Sequence, residues 1–255
     1  MLRVRSADGT RIALHEVGAS DGPRVLMLHG FASSSQRNWI DAGWSRAFEE
    51  AGLRGIAMDL RGHGDSDKPR GENAYEVERF KEDVDAALEF IDAVPGEKIG
   101  CLGYSMGARL AYRYVGEEPG VFAALALGGL PAGEPFEDID RQMADAALRG
   151  EVEPTGGTEF VVQLAKMLPE ADPTTLLDLA FGVARTPFDP SVHPPVSPTL
   201  FMTGDKDDRA DDTETMVPLL DDARFEPIPG RNHINAITSR KFKAGVIEFL
   251  QSHLG

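Results

Sequence analysis

The sequence predicts an α/β fold in which a mostly parallel, doubly wound sheet carries a helical insertion. Short, continuous apolar runs alternate along the chain with segments of helical periodicity. Such runs are typical of strands buried on both faces, and their alternation with helices is typical of a parallel sheet covered on both sides. The chain has 255 residues, of which 42% are hydrophobic and 27% are charged, so it can form one large α/β domain.

The strands are predicted in order along the chain. Residues 2–6 and 11–17 alternate apolar and polar side chains, and Asp8-Gly9 between them predicts the turn of a hairpin. The later strands are predicted from the apolar runs at residues 24–29, 55–59, 99–102, 123–127, 199–203 and 224–228.

Helices are predicted between these strands. Residues 106–117 and 237–252 have helical patterns, and residues 75–93 show the clearest one. In that segment apolar residues recur at spacings of three and four, which places them on one stripe: Val77, Phe80, Val84, Leu88 and Ile91.

Residues 131–196 interrupt the alternation, because they contain three helical patterns and no convincing strand. Asp172 and Pro173 predict the N-cap and first position of the third helix. We interpret the segment as a cap inserted into a core formed by residues 1–130 and 197–255; the alternative is a set of helices that pack on the sheet. The cap would supply an apolar wall for a substrate: Phe136, Met143, Phe160, Met167 and Phe181.

The sharpest chemical signal is the sequence Gly-Tyr-Ser-Met-Gly at residues 103–107, between a predicted strand and a predicted helix. A tight strand-to-helix turn projects the Ser105 hydroxyl above the sheet edge, and the crowded backbone requires the flanking glycines. The following helix N-terminus favours negative charge. The motif therefore predicts that Ser105 is a nucleophile.

The sequence His29-Gly30-Phe31 also follows a buried strand. A backbone N–H at this position can share an oxyanion with the N–H of Met106. The glycine-rich segment 59–66 follows another strand, and we interpret it as a structural turn more than as a source of chemistry.

A serine nucleophile requires a base, and six histidines are available. His233 lies between the last strand and the last helix, on the same sheet edge as Ser105. His15 and His253 are expected to be structural, whereas His193 can line the site from the insertion.

The acid that orients the histidine is expected after the strand at 199–203. Asp207 stands three residues after the glycine that ends this strand, and Asp208 is the alternative. Most of the neighbouring acids are expected to be surface charges.

Composition excludes several classes of function. The 42 acidic residues exceed the 26 basic ones by 16, and such a surface repels nucleic acid and anionic lipid. One cysteine, Cys101, allows no internal disulfide and fits a reducing cytoplasm. We identify no signal peptide, membrane span or metal-ligand motif, and therefore expect a cytoplasmic protein without a metal.

Together these motifs resemble the α/β-hydrolase superfamily, in particular short-capped bacterial carboxylesterases, enol-lactonases and perhydrolase-like members. The resemblance extends over nearly the whole chain and implies the α/β-hydrolase fold. It also implies that Ser105 is the nucleophile, His233 the base and Asp207 the acid, with the Phe31 and Met106 N–H groups as the oxyanion hole. The dehalogenase and epoxide-hydrolase branches use an aspartate nucleophile, which Ser105 disfavours.

The expected activity is hydrolysis of a small carboxylic ester or lactone through an acyl-enzyme, without a metal or organic cofactor. The alternatives are a perhydrolase, a carbon–carbon bond hydrolase, and a ligand-binding or signalling protein with slow turnover. Carbon–carbon hydrolases often have an aromatic residue after the histidine, where this chain has Ile234. A small molecule is the only partner we expect, and the sequence leaves the oligomeric state open.

Overall fold

The computed structural model describes residues 1–91, 98–136, 138–166 and 172–255, together with the backbone of residue 167. Eight strands form one sheet in the order β1-β2-β4-β3-β5-β6-β7-β8. The strands are β1 (Leu2–Arg5), β2 (Arg11–Gly18), β3 (Arg24–Leu28), β4 (Arg54–Met58), β5 (Gly100–Tyr104), β6 (Ala124–Gly128), β7 (Thr199–Gly204) and β8 (Ala223–Ile228). Strand β2 pairs antiparallel with β1 and with β4, and the remaining pairs are parallel.

Seven α-helices accompany the sheet in the described ranges. They are α1 (Trp44–Ala51), α2 (Val77–Phe90), α3 (Met106–Glu117), α4 (Arg141–Leu148), α5 (Gly156–Met167), α6 (Pro173–Ala184) and α7 (Arg240–Leu254). Helices α2 and α3 contribute to one apolar cluster, and α1 and α7 contribute to a separate one. The predicted doubly wound α/β sheet is therefore confirmed.

The differences from the predicted elements are local. Helix α1 has no counterpart among the predicted helices; it is only eight residues long, and Gly43 and Gly52 flank it in the left-handed conformation. Helix α2 begins at Val77 because residues 72–75 form a 3-10 turn, and the predicted end at 92–93 lies outside the described residues. Helix α7 begins at Arg240, where Ser239 caps it by accepting the N–H of Phe242.

The segment between β6 and β7 contains α4, α5 and α6, and its described residues contain no strand. Asp172 caps α6 by accepting the N–H of Thr174, with Pro173 in the first turn, as predicted. Helix α4 begins only at Arg141, so Phe136 lies in the preceding loop. None of the helices in the described part of the chain has both the length and the hydropathy of a membrane-spanning segment.

Candidate active site

Four segments with candidate chemistry meet at one edge of the sheet. Ser105 follows β5, Phe31 follows β3, Asp207 follows β7 and His233 follows β8. These strands are mutually parallel in the sheet, so their carboxyl ends lie along the same edge. The topology therefore brings together residues that are up to 202 positions apart, between Phe31 and His233.

Ser105 occupies a strained turn between β5 and α3. Its backbone has φ 53° and ψ −117°, a conformation that residues other than glycine rarely adopt. A Cβ at Gly103 would lie 2.5 Å from the Ala108 Cα, and one at Gly107 would lie 2.1 Å from the Leu28 carbonyl oxygen. Both glycines are therefore required by close backbone packing, and the turn presents the serine hydroxyl at the sheet edge.

Ser105, His233 and Asp207 form a continuous hydrogen-bonded chain. The distance from Ser105 Oγ to His233 Nε2 is 2.9 Å, and that from His233 Nδ1 to Asp207 Oδ2 is 2.8 Å. Asp207 Oδ2 accepts the Nδ1–H of a neutral His233, which leaves Nε2 free to accept the serine proton. This geometry allows His233 to accept a proton from the Ser105 hydroxyl while Asp207 holds the ring in place.

The structure distinguishes Asp207 from the alternative, Asp208. Asp207 is 2% exposed, and its second oxygen, Oδ1, accepts the N–H of Arg209 at 3.1 Å. Asp208 is exposed. Asp207 is therefore the carboxylate that the fold directs to His233.

Two neighbouring acids have structural contacts that the sequence pattern did not indicate. Asp205 Oδ1 accepts the N–H of Gly230 at 2.7 Å, and Asp212 Oδ1 accepts the N–H of Ala132 at 2.9 Å. The first bond connects the loop after β7 with the loop after β8. The second connects the segment after β7 with the start of the insertion at residues 131–196.

Further contacts fix the loop that carries His233. Lys206 N–H donates to the Arg231 carbonyl at 2.9 Å, and the Tyr104 hydroxyl donates to the His233 carbonyl at 2.6 Å. Burial raises the pKa of Tyr104, so this hydroxyl keeps its proton and remains a donor. His233 is thus held through its own backbone as well as through Asp207.

The backbone N–H groups of Phe31 and Met106 are both open in this structure. Within the described part of the chain no hydrogen bond occupies either of them. The neighbouring N–H groups of the Phe31 loop are occupied: Gly30 N–H donates to Asn38 Oδ1 at 2.9 Å, and Ala32 N–H donates to His63 Nε2 at 3.0 Å. The loop is therefore anchored on both sides of the free Phe31 N–H.

His29 and His63 support this loop as neutral, buried rings. His29 Nε2 accepts the N–H of Leu60 at 3.0 Å, and its Nδ1 donates to the Gly30 carbonyl at 2.8 Å. Burial lowers the pKa of His29, and burial together with the adjacent His29 lowers the pKa of His63 to about 3. The glycine-rich segment 59–66, which we interpreted as structural, thus contributes His63 to the support of the Phe31 loop.

The low pKa of His63 predicts a specific acid sensitivity of the fold. In the unfolded chain His63 takes up a proton near its ordinary pKa of 6.5, whereas in the folded protein it resists protonation down to about 3. The contribution of the neutral His63 ring to the free energy of unfolding is therefore complete above pH 6.5, and it is lost as the pH falls from 6.5 towards 3. In His63→Gln the amide oxygen can still accept the Ala32 N–H, but the side chain no longer titrates. Between roughly pH 7.5 and 5 the free energy of unfolding of this variant should therefore fall by about 2 kcal/mol less than that of the wild type.

Urea unfolding of both proteins at about pH 7.5, 6.5 and 5 measures this difference. The free energy of unfolding of the wild type should fall more steeply with acidification than that of His63→Gln. Parallel curves would show that His63 is not the neutral buried group that its contacts indicate.

An apolar cavity of about 100 Å³ adjoins Ser105 and His233. Two of the predicted wall residues, Phe136 and Phe160, line it, and Phe136 packs edge-on against Phe31 with 5.1 Å between ring centroids. The segment between β6 and β7 also contributes Leu164 to the lining, and its Ala165 and Leu176 pack on Ala32 beside the Phe31 loop.

Two of the other predicted wall residues, Met143 and Phe181, do not line this cavity. Met143 Sδ lies 3.4 Å from the Thr155 N–H, and the Phe181 ring packs under the Arg141 guanidinium at 5.5 Å. Both side chains therefore contact neighbouring parts of the insertion. The side chain of Met167 lies outside the described residues. His193 lines a separate cavity with Tyr112 and Phe188.

Sequence reasoning missed two cationic residues of the cavity, Arg109 and Arg209. Arg109 lies four residues after Ser105, one turn along α3, and this spacing was an available signal. The position of Arg209 follows from the conformation of the loop after β7, which periodicity does not encode.

One group of residues has ligand atoms close enough for a metal ion. Within the described ranges, His15, Asp59 and Asp65 bring three such atoms within 4.8 Å. Asp59 already accepts hydrogen bonds from His15 and from the N–H groups of Ser35 and Asp65. Burial alone would raise its pKa, but these bonds and the nearby His29 hold it below its usual value. Protein donors therefore satisfy this carboxylate.

Comparison with known proteins agrees with this architecture. Residues 23–158 match the family model described as the alpha/beta hydrolase fold. A putative 2-succinyl-6-hydroxy-2,4-cyclohexadiene-1-carboxylate synthase of Bacillus subtilis is 33% identical over 160 residues, 60% of this chain and 55% of that protein. Epoxide hydrolase B of Mycobacterium tuberculosis is 36% identical over 150 residues, 52% of this chain and 39% of that protein.

Among solved structures, a thermophilic esterase from Thermogutta terrifontis, with malate bound, superposes with a TM-score of 0.76. It is 21% identical, and the match covers 100% of this chain and 99% of the esterase. The matches cover about half or less of the length of these two curated relatives, whereas the superposition on the esterase covers nearly the full length of both chains. The family model covers more than half of the sequence, and the chain therefore belongs to the α/β-hydrolase fold family.

Proposed function

We propose that the protein is a serine hydrolase that cleaves a small carboxylic ester or lactone through an acyl-enzyme. The observation that carries this proposal is the chain of two hydrogen bonds, 2.9 and 2.8 Å long, that joins Ser105 Oγ to Asp207 through His233. A serine hydroxyl becomes an effective nucleophile when a neutral, oriented imidazole can accept its proton.

The reaction begins when Ser105 Oγ attacks the substrate carbonyl and His233 Nε2 takes the serine proton. The carbonyl oxygen becomes negatively charged, and the open N–H groups of Phe31 and Met106 stabilise that charge. Collapse of the tetrahedral intermediate breaks the bond to the alcohol oxygen, which receives the proton from His233. A water molecule, deprotonated by His233, then attacks the ester carbonyl of the acyl-enzyme, and the departing Ser105 recovers its proton.

The nucleophile position favours this function over epoxide hydrolysis. The epoxide-hydrolase branch of this superfamily uses an aspartate nucleophile, whereas this chain has Ser105 at that position. The chain also has Ile234, 71% exposed at the cavity, where carbon–carbon hydrolases often have an aromatic residue.

No metal or organic cofactor enters the proposed steps. The proposed substrate is a small molecule, and the cytoplasm, suggested by the single cysteine, is the proposed location.

Steady-state turnover on p-nitrophenyl esters from acetate to octanoate, together with a set of lactones, tests the function. We expect saturable hydrolysis and covalent labelling of Ser105 by a fluorophosphonate. Labelling alone is insufficient, because a binding or signalling protein of this fold with slow turnover would also be labelled. Absence of turnover on every ester and lactone would reject hydrolysis and favour that alternative.

We further propose that residues 131–196 act as a cap that selects the acyl group. Phe160 lies on α5 and lines the cavity, whereas Phe181 lies on α6 and packs away from it. Phe160→Ala should enlarge the cavity and shift the preferred acyl chain to a longer one. Phe181→Ala is the matched control, because it removes the same side chain from the same insertion.

The measurement is kcat/KM across the ester series for both variants, with thermal unfolding recorded in parallel. Phe181→Ala should change stability while leaving the order of preference intact. An identical, substrate-independent effect of both variants would show that the helices only pack on the sheet. The stability loss alone decides nothing, because both phenylalanines are partly buried and truncating either one removes apolar packing.

A further inference from the structure

The charged side chains that line the cavity beside Ser105 are opposite in sign to the net charge of the protein. The chain carries a formal net charge of −16, yet the charged residues that line the cavity are two arginines, Arg109 and Arg209, and none of its described lining residues is a carboxylate. Fixed cations in a cavity with apolar walls attract an anion more strongly than they would in water.

Arg109 is a buried cation with an open donor. It is 4% exposed, and its Nη1 contacts both oxygens of the equally buried Glu134, at 2.5 and 2.6 Å. Its Nη2 is buried and has no hydrogen-bond partner among the described residues. A buried donor without an acceptor is costly, so this nitrogen marks a place where a ligand acceptor would be stabilising.

Arg209 supplies a second cation from another element. Its guanidinium stacks on the Phe160 ring at 3.8 Å from the centroid, and its backbone N–H donates to Asp207 Oδ1. The side chain is exposed, and it forms no ion pair within the described part of the chain. Glu134 pairs with Arg109, whereas Asp207 is bonded to His233 and to the Arg209 backbone N–H, so the Arg209 guanidinium has no carboxylate partner among the described residues.

We propose that the substrate carries a carboxylate, which Arg109 Nη2 and Arg209 bind while Ser105 attacks the ester carbonyl. This proposal rests on the proposed hydrolase function and names its substrate class: monoesters of short dicarboxylic acids, or lactones with a carboxylate substituent. Arginine donors suit a carboxylate because their planar N–H groups match its two oxygens. Arg109 lies one helical turn beyond Ser105 and lines the same cavity, so the proposed substrates are short molecules that can contact both residues.

The test compares each hemi-ester with a neutral counterpart of the same length. Phenyl monoesters of succinate, glutarate and adipate are assayed beside the esters in which a primary amide replaces the free carboxylate. For at least one length, the wild type should show a kcat/KM about tenfold or more higher for the acid. Equal or faster hydrolysis of all the neutral esters would overturn the carboxylate site and leave the hydrolase function standing.

Variants assign the preference to the two arginines. Arg209→Gln changes an exposed residue and should lower the preference for the acid. Arg109→Gln is combined with Glu134→Gln, so that no buried carboxylate is left unpaired, and the double variant should lose most of the preference. Arg113→Gln removes the same charge one turn further along α3, outside this cavity, and should keep the preference. Loss of the preference in Arg113→Gln alone would contradict the assignment.

Calorimetry separates failure of the site from failure of the proposed function. The free dicarboxylates should bind to the wild type more tightly than their monoamides, and Arg109→Gln/Glu134→Gln should abolish that difference. Arginine-dependent binding without turnover of any ester would reject the hydrolase function and retain the carboxylate site. Absence of such binding to the wild type would overturn the site.

Discussion

Ser105→Ala should lower kcat by about a millionfold, which corresponds to roughly 8 kcal/mol of barrier. The variant removes the attacking oxygen, whereas His233, Asp207 and the two open N–H groups remain in place. Among the described residues, the only side-chain hydrogen bond lost is that between Ser105 Oγ and His233 Nε2. The fold should therefore persist, and the free energy of unfolding should change little.

The measurement is ester turnover and fluorophosphonate labelling, with urea unfolding as a check on the fold. Ser66→Ala is an instructive control. Ser66 Oγ is buried and connects the Ala13 N–H with the Asp59 carbonyl, so its loss should destabilise the protein while labelling persists. Undiminished turnover in Ser105→Ala would refute the proposed mechanism.

The fold was predictable because its signals are local and repeated. Continuous apolar runs predicted the strands, and their carboxyl ends then placed the segments of Ser105, Asp207 and His233 at one sheet edge. Helix α1 escaped prediction because it is short, and its bounding glycines, Gly43 and Gly52, do not distinguish a helix from a loop.

The composition of the cavity was less predictable, because it depends on how the insertion packs. Phe160 and Phe181 have the same chemistry and both lie on helices of the insertion, but only Phe160 lines the cavity. Arg109 lies on a regular helix, but the open donor at its Nη2 depends on Glu134, which lies in a loop. Glu134 accepts hydrogen bonds from Nη1 and leaves Nη2 without a partner among the described residues. Such long-range pairings carry no periodic signal in the sequence.

Asp207→Asn should lower kcat by about ten-thousandfold, an effect second only to that of Ser105→Ala. The new side chain can present its amide N–H₂ to His233 Nδ1, which would then act as an acceptor. That arrangement places the ring proton on Nε2, facing Ser105 Oγ, so the imidazole can no longer take the serine proton. The imidazolium formed during attack also loses its negative partner.

The neighbouring acid provides a matched control within the same loop. Asp208 is exposed, so Asp208→Asn removes the same charge without altering the contacts of His233, and its kcat should stay within a few-fold of the wild type. In Asp207→Asn the amide oxygen can still accept the Arg209 N–H that Asp207 Oδ1 accepts now, so the loop should keep its conformation. Measurement of kcat and thermal unfolding for both variants separates catalysis from folding. A large loss in Asp208→Asn with a small one in Asp207→Asn would transfer the orienting role to Asp208, because only the carboxylate that holds the Nδ1 proton can fix the tautomer that His233 needs as a base.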